Sequence, residues 1–326
     1  MNSFYAVLDG NHPELGIEEL YALCVAYGIK PYMHAKERIV IIEAELNEKI
    51  TERIAYSKEI GRIVFIADRV GDISFHSDLF VKGTTFKVDA VGFDTKRKIE
   101  IDAQLGSKIM DIFPDCEVSL RKPDKIVRVI KLGDKFLVGI TAPKVKRRWI
   151  DRRPRSRPFF HPVAIYPKLA RLLVNLCSIK EGEIFVDPCC GTGSLLVEAA
   201  NMGMDTFGLD ISKKMVYGAK KNSILADKSR CDFALADSHS MPVRYADGIA
   251  TDIPYGRAGP SFDKSLDISR SILEQAPSLL PSGGRAVIMS NLNQLPAASH
   301  DMQLLRRYSL YVHRSLTRVI SIFERR

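Results

Sequence analysis

Ile184-Phe185-Val186-Asp187-Pro188-Cys189-Cys190-Gly191-Thr192-Gly193 decides the fold. Three apolar residues run into an acid, a proline, two small cysteines and a Gly-Thr-Gly turn. That order reads as a buried strand, a tight turn and a helix start. The two glycines let the backbone approach a ligand closely, where a side chain would fill the space. Ser194 to Met202 continues with helical spacing. Beyond it the pattern alternates: strand Thr206 to Leu209 ends at Asp210, and Lys213 to Ala226 is an amphipathic helix. Cys231 to Ala236 is a strand ending at Asp237, and Gly248 to Thr251 one ending at Asp252. Helix Asp263 to Leu280 closes at a Pro-Ser-Gly-Gly turn, and strand Arg285 to Ser290 follows. Alternation of this kind predicts a mostly parallel sheet with helices on both faces. Leu304 to Val312 and Thr317 to Phe323 break the rhythm and predict a C-terminal antiparallel hairpin, making seven strands.

The turn narrows the choice of ligand. A dinucleotide site wants a third glycine at 196, where Leu196 stands, and no Gly-Lys-Ser/Thr follows to cradle phosphates. S-adenosyl-L-methionine has no phosphates and suits the turn. Asp187, Cys190, Gly191, Thr192 and Gly193 would approach it, and Asp210, with Ile211 beside it, would accept from its ribose hydroxyls. Asp237 and Ser238 would border the adenine. A single strand-end Asp usually caps a helix. Four on one sheet edge imply a site, and the whole set reads as a Rossmann-like α/β class I methyltransferase.

Asp252-Ile253-Pro254-Tyr255 adds the chemistry. An exocyclic amine on a nucleobase is a poor nucleophile, because its lone pair is delocalised into the ring. Catalysis then consists of orientation and preplaced acceptors. Asp252 would accept one N–H and help the proton leave, and the carbonyl of Ile253 would accept the other. Pro254 biases Ile253 toward an extended conformation. Tyr255 offers a face for stacking on the base. A strand-end turn alone would use the same residue types; the upstream turn favours the functional reading.

The chain has 326 residues and a formal net charge of +9. It divides into a ferredoxin-like α+β unit (1–60), a second α+β unit (61–143), a basic linker (144–160) and the sheet domain (161–326). In the N-terminal half Ser3 to Leu8, Arg38 to Glu43 and Arg62 to Ala67 read as strands, with helices at Glu14 to Ala26 and Glu48 to Ile60. Lys144, Lys146, Arg147, Arg148, Arg152, Arg153, Arg155 and Arg157 crowd the linker, with only Asp151 opposing them. Clustering of one sign favours a polyanionic partner over a merely solvated surface. The six cysteines form no C-x-x-C pair, and the seven histidines do not cluster with acids, so no metal is expected. Neither a signal peptide nor a run long enough to span a membrane is present, and a cytoplasmic monomer is the default.

These residues together resemble the archaeal tRNA guanosine-10 N2-methyltransferases, in which an RNA-binding THUMP domain precedes a class I methyltransferase. The likeness covers nearly the whole chain. It is carried by Asn11-His12-Pro13-Glu14-Leu15, by Val118 to Asp124, by Arg157-Pro158-Phe159-Phe160-His161-Pro162 leading to Pro167 to Arg171, by Asp187 to Gly193, by Thr251 to Arg257 and by His313 to Arg318. The resemblance makes residues 61–143 the THUMP unit and tRNA the partner. It places His161 over the cofactor, where a turn histidine bonded to backbone is the alternative, and Arg257 against the RNA backbone near a flipped base. It leaves open whether a small zinc-binding activator subunit is needed, as in some relatives. The family usually has proline where Ile253 stands. Methylation of another RNA amine, and a tRNA-binding protein with a weakened catalytic domain, are the other readings.

Overall fold

The computed structural model describes residues 3–76, 79–143, 149–162, 164–226, 230–254, 262–291, 301–313 and 316–326. In chain order the elements are β1 (Ser3–Leu8), α1 (Pro13–Ala26), β2 (Tyr32–Lys36), β3 (Ile39–Glu43), α2 (Glu48–Arg53), β4 (Ser57–Ala67), β5 (Thr85–Val91), α3 (Thr95–Ile112), β6 (Glu117–Val118), β7 (Lys125–Leu132) and β8 (Lys135–Thr141). Then come α4 (Pro167–Leu176), β9 (Ile184–Asp187), α5 (Ser194–Asn201), β10 (Asp205–Asp210), α6 (Lys213–Asn222), β11 (Cys231–Leu235), β12 (Gly248–Asp252), α7 (Phe262–Leu279), β13 (Arg285–Ser290), β14 (Met302–His313) and β15 (Leu316–Arg325). Two compact units result.

The first unit comprises residues 1–13, 29–52 and 57–146. It is built on one eight-stranded sheet, ordered β2-β3-β1-β4-β8-β7-β5-β6. The division expected after residue 60 falls inside β4. This eleven-residue strand pairs with β1 over Ser57 to Arg62 and with β8 over Arg62 to Ala67, so one sheet runs through both expected units. Its interior holds a charged network. Arg128 donates to both oxygens of Glu59, at 2.8 and 2.7 Å, and also pairs with Asp89. Lys98 bridges Asp89 and Asp102 at 2.6 and 2.8 Å.

The second unit comprises residues 14–28, 53–56 and 147–326. Its seven-stranded sheet runs β11-β10-β9-β12-β13-β15-β14. The first five strands are parallel, β15 runs antiparallel to β13, and β14 pairs antiparallel with β15. This is the arrangement expected of a class I methyltransferase. Successive side chains alternate between faces. Phe185, Ala250 and Val287 join the cluster under α4 and α5, while Val186, Ile249 and Ile288 join Ile272, Leu273 and Ala276 of α7.

Helix α1 belongs to this second unit rather than to the sheet it follows in sequence. Leu15 and Ala22 enter the α4–α5 cluster. Glu19, fully buried, accepts from the N–H groups of Ala55 and Tyr56, at 2.9 and 2.7 Å, and from Asn175 Nδ2 at 2.8 Å. Those bonds explain a second difference. The helix expected over Glu48 to Ile60 stops at Arg53, because the next N–H groups turn to the Glu19 carboxylate, and β4 begins at Ser57.

Candidate active site

In an open α/β sheet, ligands bind outside the carboxyl ends of the strands where the strand order reverses. Here that point lies between β9 and β12. Asp187 ends β9, Asp210 ends neighbouring β10 and Asp252 ends β12, so three of the four expected acids share one edge. Asp187 is 1% exposed, and its Oδ1 accepts from the Cys189 N–H at 3.2 Å. Burial pushes its carboxyl up to about 7, and the charges of Asp210 and Asp252 push the same way. Burial also raises Asp252 to about 7, against the pull of Arg318 from the hairpin. Asp252 Oδ1 is shielded from solvent and has no partner among the described residues.

The turn is held by its own backbone. The Cys190 N–H donates to the Leu209 carbonyl at 2.7 Å, and the Gly193 N–H to the Cys190 carbonyl at 2.8 Å. Asp210 braces it from β10: Oδ2 accepts from the Gly191 N–H at 2.9 Å and Oδ1 from the Ser212 N–H at 2.8 Å. Each oxygen keeps a second lone pair for a ligand hydroxyl. Gly191 and Gly193 have φ of 51° and 79°. A Cβ on Gly193 would come within 3.2 Å of Ala219 Cβ, while one on Gly191 would enter open space beside the turn. Thr192 is 3% exposed, and its Oγ1 finds no partner among the described residues. A bare loop edge, an orphan hydroxyl and three acids suit a cationic nucleoside such as S-adenosyl-L-methionine. Ile211 is largely exposed next to Asp210, offering an apolar surface.

Asp237 stands apart from the other acids. It lies two residues past the end of β11, and its Oδ1 accepts from the His239 N–H at 2.9 Å and faces His239 Nδ1 at 2.7 Å. His239 Nε2 meets Asp267 of α7 at 2.9 Å. The side-chain bonds to Asp237 and Asp267 raise the histidine, and the His239 N–H lowers Asp237. Ser238 is buried, and its carbonyl accepts from Gln275 Nε2 at 2.9 Å. This loop is therefore stapled to α7.

A strap over residues 157–161 is locked to the start of α5 and, through Asn222 of α6, to the 190–193 turn. Buried Arg157 donates through Nη1 to Ser194 Oγ at 2.6 Å and through Nη2 to the Ile165 carbonyl at 3.0 Å. Asn222 on α6, fully buried, accepts from the Phe159 N–H at 2.9 Å. Its Nδ2 donates to the carbonyls of Phe159 and Thr192, both at 3.0 Å. The Phe159 ring lies against Gly218, where a Cβ would come 2.3 Å from Phe159 Cδ1. His161 is half-buried, and its Nδ1 has no partner among the described residues. Sequence reasoning did not single out Asn222 or Gly218. Their signal was the buried 218, 219, 222 stripe of α6.

In the stretch expected to be catalytic, Ile253 is fully buried, and its N–H donates to the Met289 carbonyl at 2.8 Å. The Pro254 carbonyl accepts from Ser265 Oγ at 2.9 Å. Tyr255 and Arg257 lie outside the described residues, as do Lys144, Lys146, Arg147 and Arg148.

The rest of the basic linker divides. Arg152 reaches Glu198 through Nε at 2.6 Å and Nη2 at 3.2 Å, and Arg171 joins the same carboxylate at 3.0 Å. Both guanidinium groups stand over the Trp149 ring, 5.6 and 5.0 Å from its centroid. Glu198 is 1% exposed, so Arg152, expected to touch RNA, is also the partner of a buried acid. Arg153 and Arg155 are exposed.

Residues 154–320 match the family model described as RMKL-like, methyltransferase domain. The chain is 31% identical to the tRNA (guanine(10)-N2)-dimethyltransferase of Methanothermobacter thermautotrophicus, with 98% of each chain covered. It is 30% identical to the enzyme of that name from Methanocaldococcus jannaschii, with 98% of this chain and 99% of the other covered. Among solved structures, TrmN from Thermus thermophilus aligns over 100% of both chains at 19% identity and a TM-score of 0.54, a likeness of fold.

Proposed function

The chain belongs to the tRNA (guanine(10)-N2)-dimethyltransferase family, and from that premise we propose that it methylates the exocyclic N2 amine of guanosine 10 in tRNA. When bound, S-adenosyl-L-methionine supplies an electrophilic methyl group carried on a sulfonium. Asp187, the 190–193 turn and Asp210 would hold it, under the strap of residues 157–161.

The observation that carries the reading is the Oδ1 of Asp252 at the end of β12, shielded and without a partner among the described residues. We assign it one N–H of the guanine amine. A carboxyl near neutrality is a better proton acceptor than an ordinary one, so Asp252 takes the proton that the amine gives up. The Ile253 carbonyl is the acceptor assigned to the second N–H; the next carbonyl, that of Pro254, accepts from Ser265 Oγ. Tyr255 is assigned to stack on the flipped base, and exposed Arg153 and Arg155, with Arg257 and the lysines and arginines of 144–148, to the phosphates. We take the first sheet unit to carry the THUMP function of gripping tRNA. The chain is taken as a cytoplasmic monomer; copurification from its native host tests for a small zinc-binding activator subunit.

The test is to incubate the chain with labelled S-adenosyl-L-methionine and unmodified tRNA, then digest and map the label by mass spectrometry. One or two methyl groups on N2 of guanosine 10 are expected. Label confined to ribosomal RNA, adenine or protein would overturn the assignment, and tRNA binding without transfer would leave only a binding protein.

A further inference from the structure

Helix α6 has a second face that no step of the reaction uses. Its inner stripe, Gly218, Ala219 and Asn222, packs inward. Its outer stripe is Lys213, Lys214, Tyr217, Lys220 and Lys221, all exposed and spaced to fall on one side of the helix. The two lysine pairs are seven residues apart, about 10 Å along the axis. From Lys213 to Ala226 the chain has no acidic residue, and among the described residues none of the four lysines forms an ion pair.

Folding does not account for this placement. Lys213 and Lys214 occupy the first turn, where the helix dipole disfavours cations and acids are the usual choice. A local choice that works against the helix marks a site kept for another reason. Lys221 Nζ stands 4.8 Å from the centroid of the Tyr217 ring, and that ring is 57% exposed. The face begins three residues beyond Asp210, at the cofactor end of the sheet.

We propose that this face of α6 is a docking surface for the RNA phosphate backbone. The inference rests on the tRNA reading above. A row of mobile ammonium groups flanking an exposed aromatic ring matches a continuous polyanion carrying planar bases. An acidic protein surface would use the charges but leave Tyr217 without a role.

The test uses the full chain with K213Q/K214Q, K220Q/K221Q and the fourfold variant, since exposed glutamines leave the fold intact. tRNA affinity is measured by fluorescence anisotropy across a salt series, and cofactor affinity by calorimetry. Each phosphate contact contributes about 0.9 to the slope of log K against log salt on duplex. The fourfold variant should therefore lose up to about 3.6 units of slope and at least about tenfold in tRNA affinity, each pair about half that slope, with cofactor affinity unchanged. An unchanged slope in the fourfold variant overturns the inference and leaves the face to solvent or an acidic protein. If the unaltered chain itself neither binds nor methylates tRNA, the functional reading fails and takes this inference with it.

Discussion

The N–H of Ile253 donates to the carbonyl of Met289 across the β12–β13 pair, at 2.8 Å. Proline, usual at this position in the family, has no N–H to give. This chain therefore restrains the turn assigned to catalysis by a cross-strand bond and a fully buried side chain in place of a ring. Ile253→Pro, although it restores the family sequence, should lower stability by about 1–3 kcal/mol, since the Met289 carbonyl loses its donor inside the sheet. Ile253→Val should cost only about 0.5–1.5 kcal/mol and keep turnover. Thermal unfolding and kcat for the two variants check this; a more stable and faster proline variant would contradict it.

Asp252→Asn keeps the size of the side chain and removes its capacity to accept a proton. Turnover should fall by about 10²–10⁴, with cofactor affinity within about twofold of the unaltered chain. In the unaltered chain kcat should rise with pH and level off above about 7, because the role assigned to Asp252 needs its ionised form and burial holds it near that value. Asp187 is raised to about 7 as well and senses the Asp252 charge, so the apparent value belongs to the pair. Single-turnover rates from pH 5.5 to 9 give the profile; one flat across that range would remove Asp252 from proton transfer.

The same two acids make stability depend on pH. Their folded values near 7 lie above the ordinary carboxylate range, so between about pH 4 and 7 the native state holds protons that the unfolded chain has released. Their contribution is full below pH 4 and is lost as pH rises through 7. Without cofactor, the melting temperature should drop between about pH 4 and 7 and level off above, and Asp187→Asn should flatten that drop. Scanning calorimetry of both proteins across this range is decisive, and equal slopes would show that Asp187 is not held protonated.

How much was legible follows from how local each signal is. The Asp187 to Gly193 turn could be read because strand, turn and helix start are encoded within ten consecutive residues. Asp210 and Asp252 could be read because each closes an apolar run. The orientation of Asp237 could not, since Asp267, 28 residues beyond His239, helps fix it. Strand β2 escaped notice because it is an exposed edge strand with no buried alternate face. Placing α1 in the second unit depends on Glu19 reaching N–H groups 36 and 37 residues away. Arg152 looked like its basic neighbours until Glu198, 46 residues on, appeared beneath it.

Asn222 joins the strap to the cofactor turn, so it should act on ligand affinity from a distance. Asn222→Ala strips a donor from the Phe159 and Thr192 carbonyls and the acceptor from the Phe159 N–H. Affinity for S-adenosyl-L-methionine should weaken about tenfold, in line with about 1–2 kcal/mol of lost bonding. Gly218→Ala provides an independent route, because the new methyl must displace the Phe159 ring. Calorimetric titration, together with hydrogen exchange over residues 157–161, distinguishes a loosened strap from general unfolding. Normal affinity in both folded variants would rule out the coupling.

Arginines that hold the fold differ in their partners from arginines assigned to RNA. Glu198 is buried and carries Arg152 and Arg171 on its two oxygens. Glu198→Ala leaves both guanidinium groups without their acid and should cost about 3–5 kcal/mol, since an uncompensated buried charge is expensive. Arg152→Ala, acting on a partly exposed member of the group, should lower the melting temperature while leaving the salt dependence of tRNA binding as it was. Arg153→Ala/Arg155→Ala should do the reverse, because both side chains are exposed and end in no buried acid. The double variant should melt normally and lose up to about 0.9 of salt slope for each phosphate contact removed. Measuring melting and binding on the same preparations sorts the linker residue by residue, and a salt slope that falls in Arg152→Ala would return that arginine to the RNA interface.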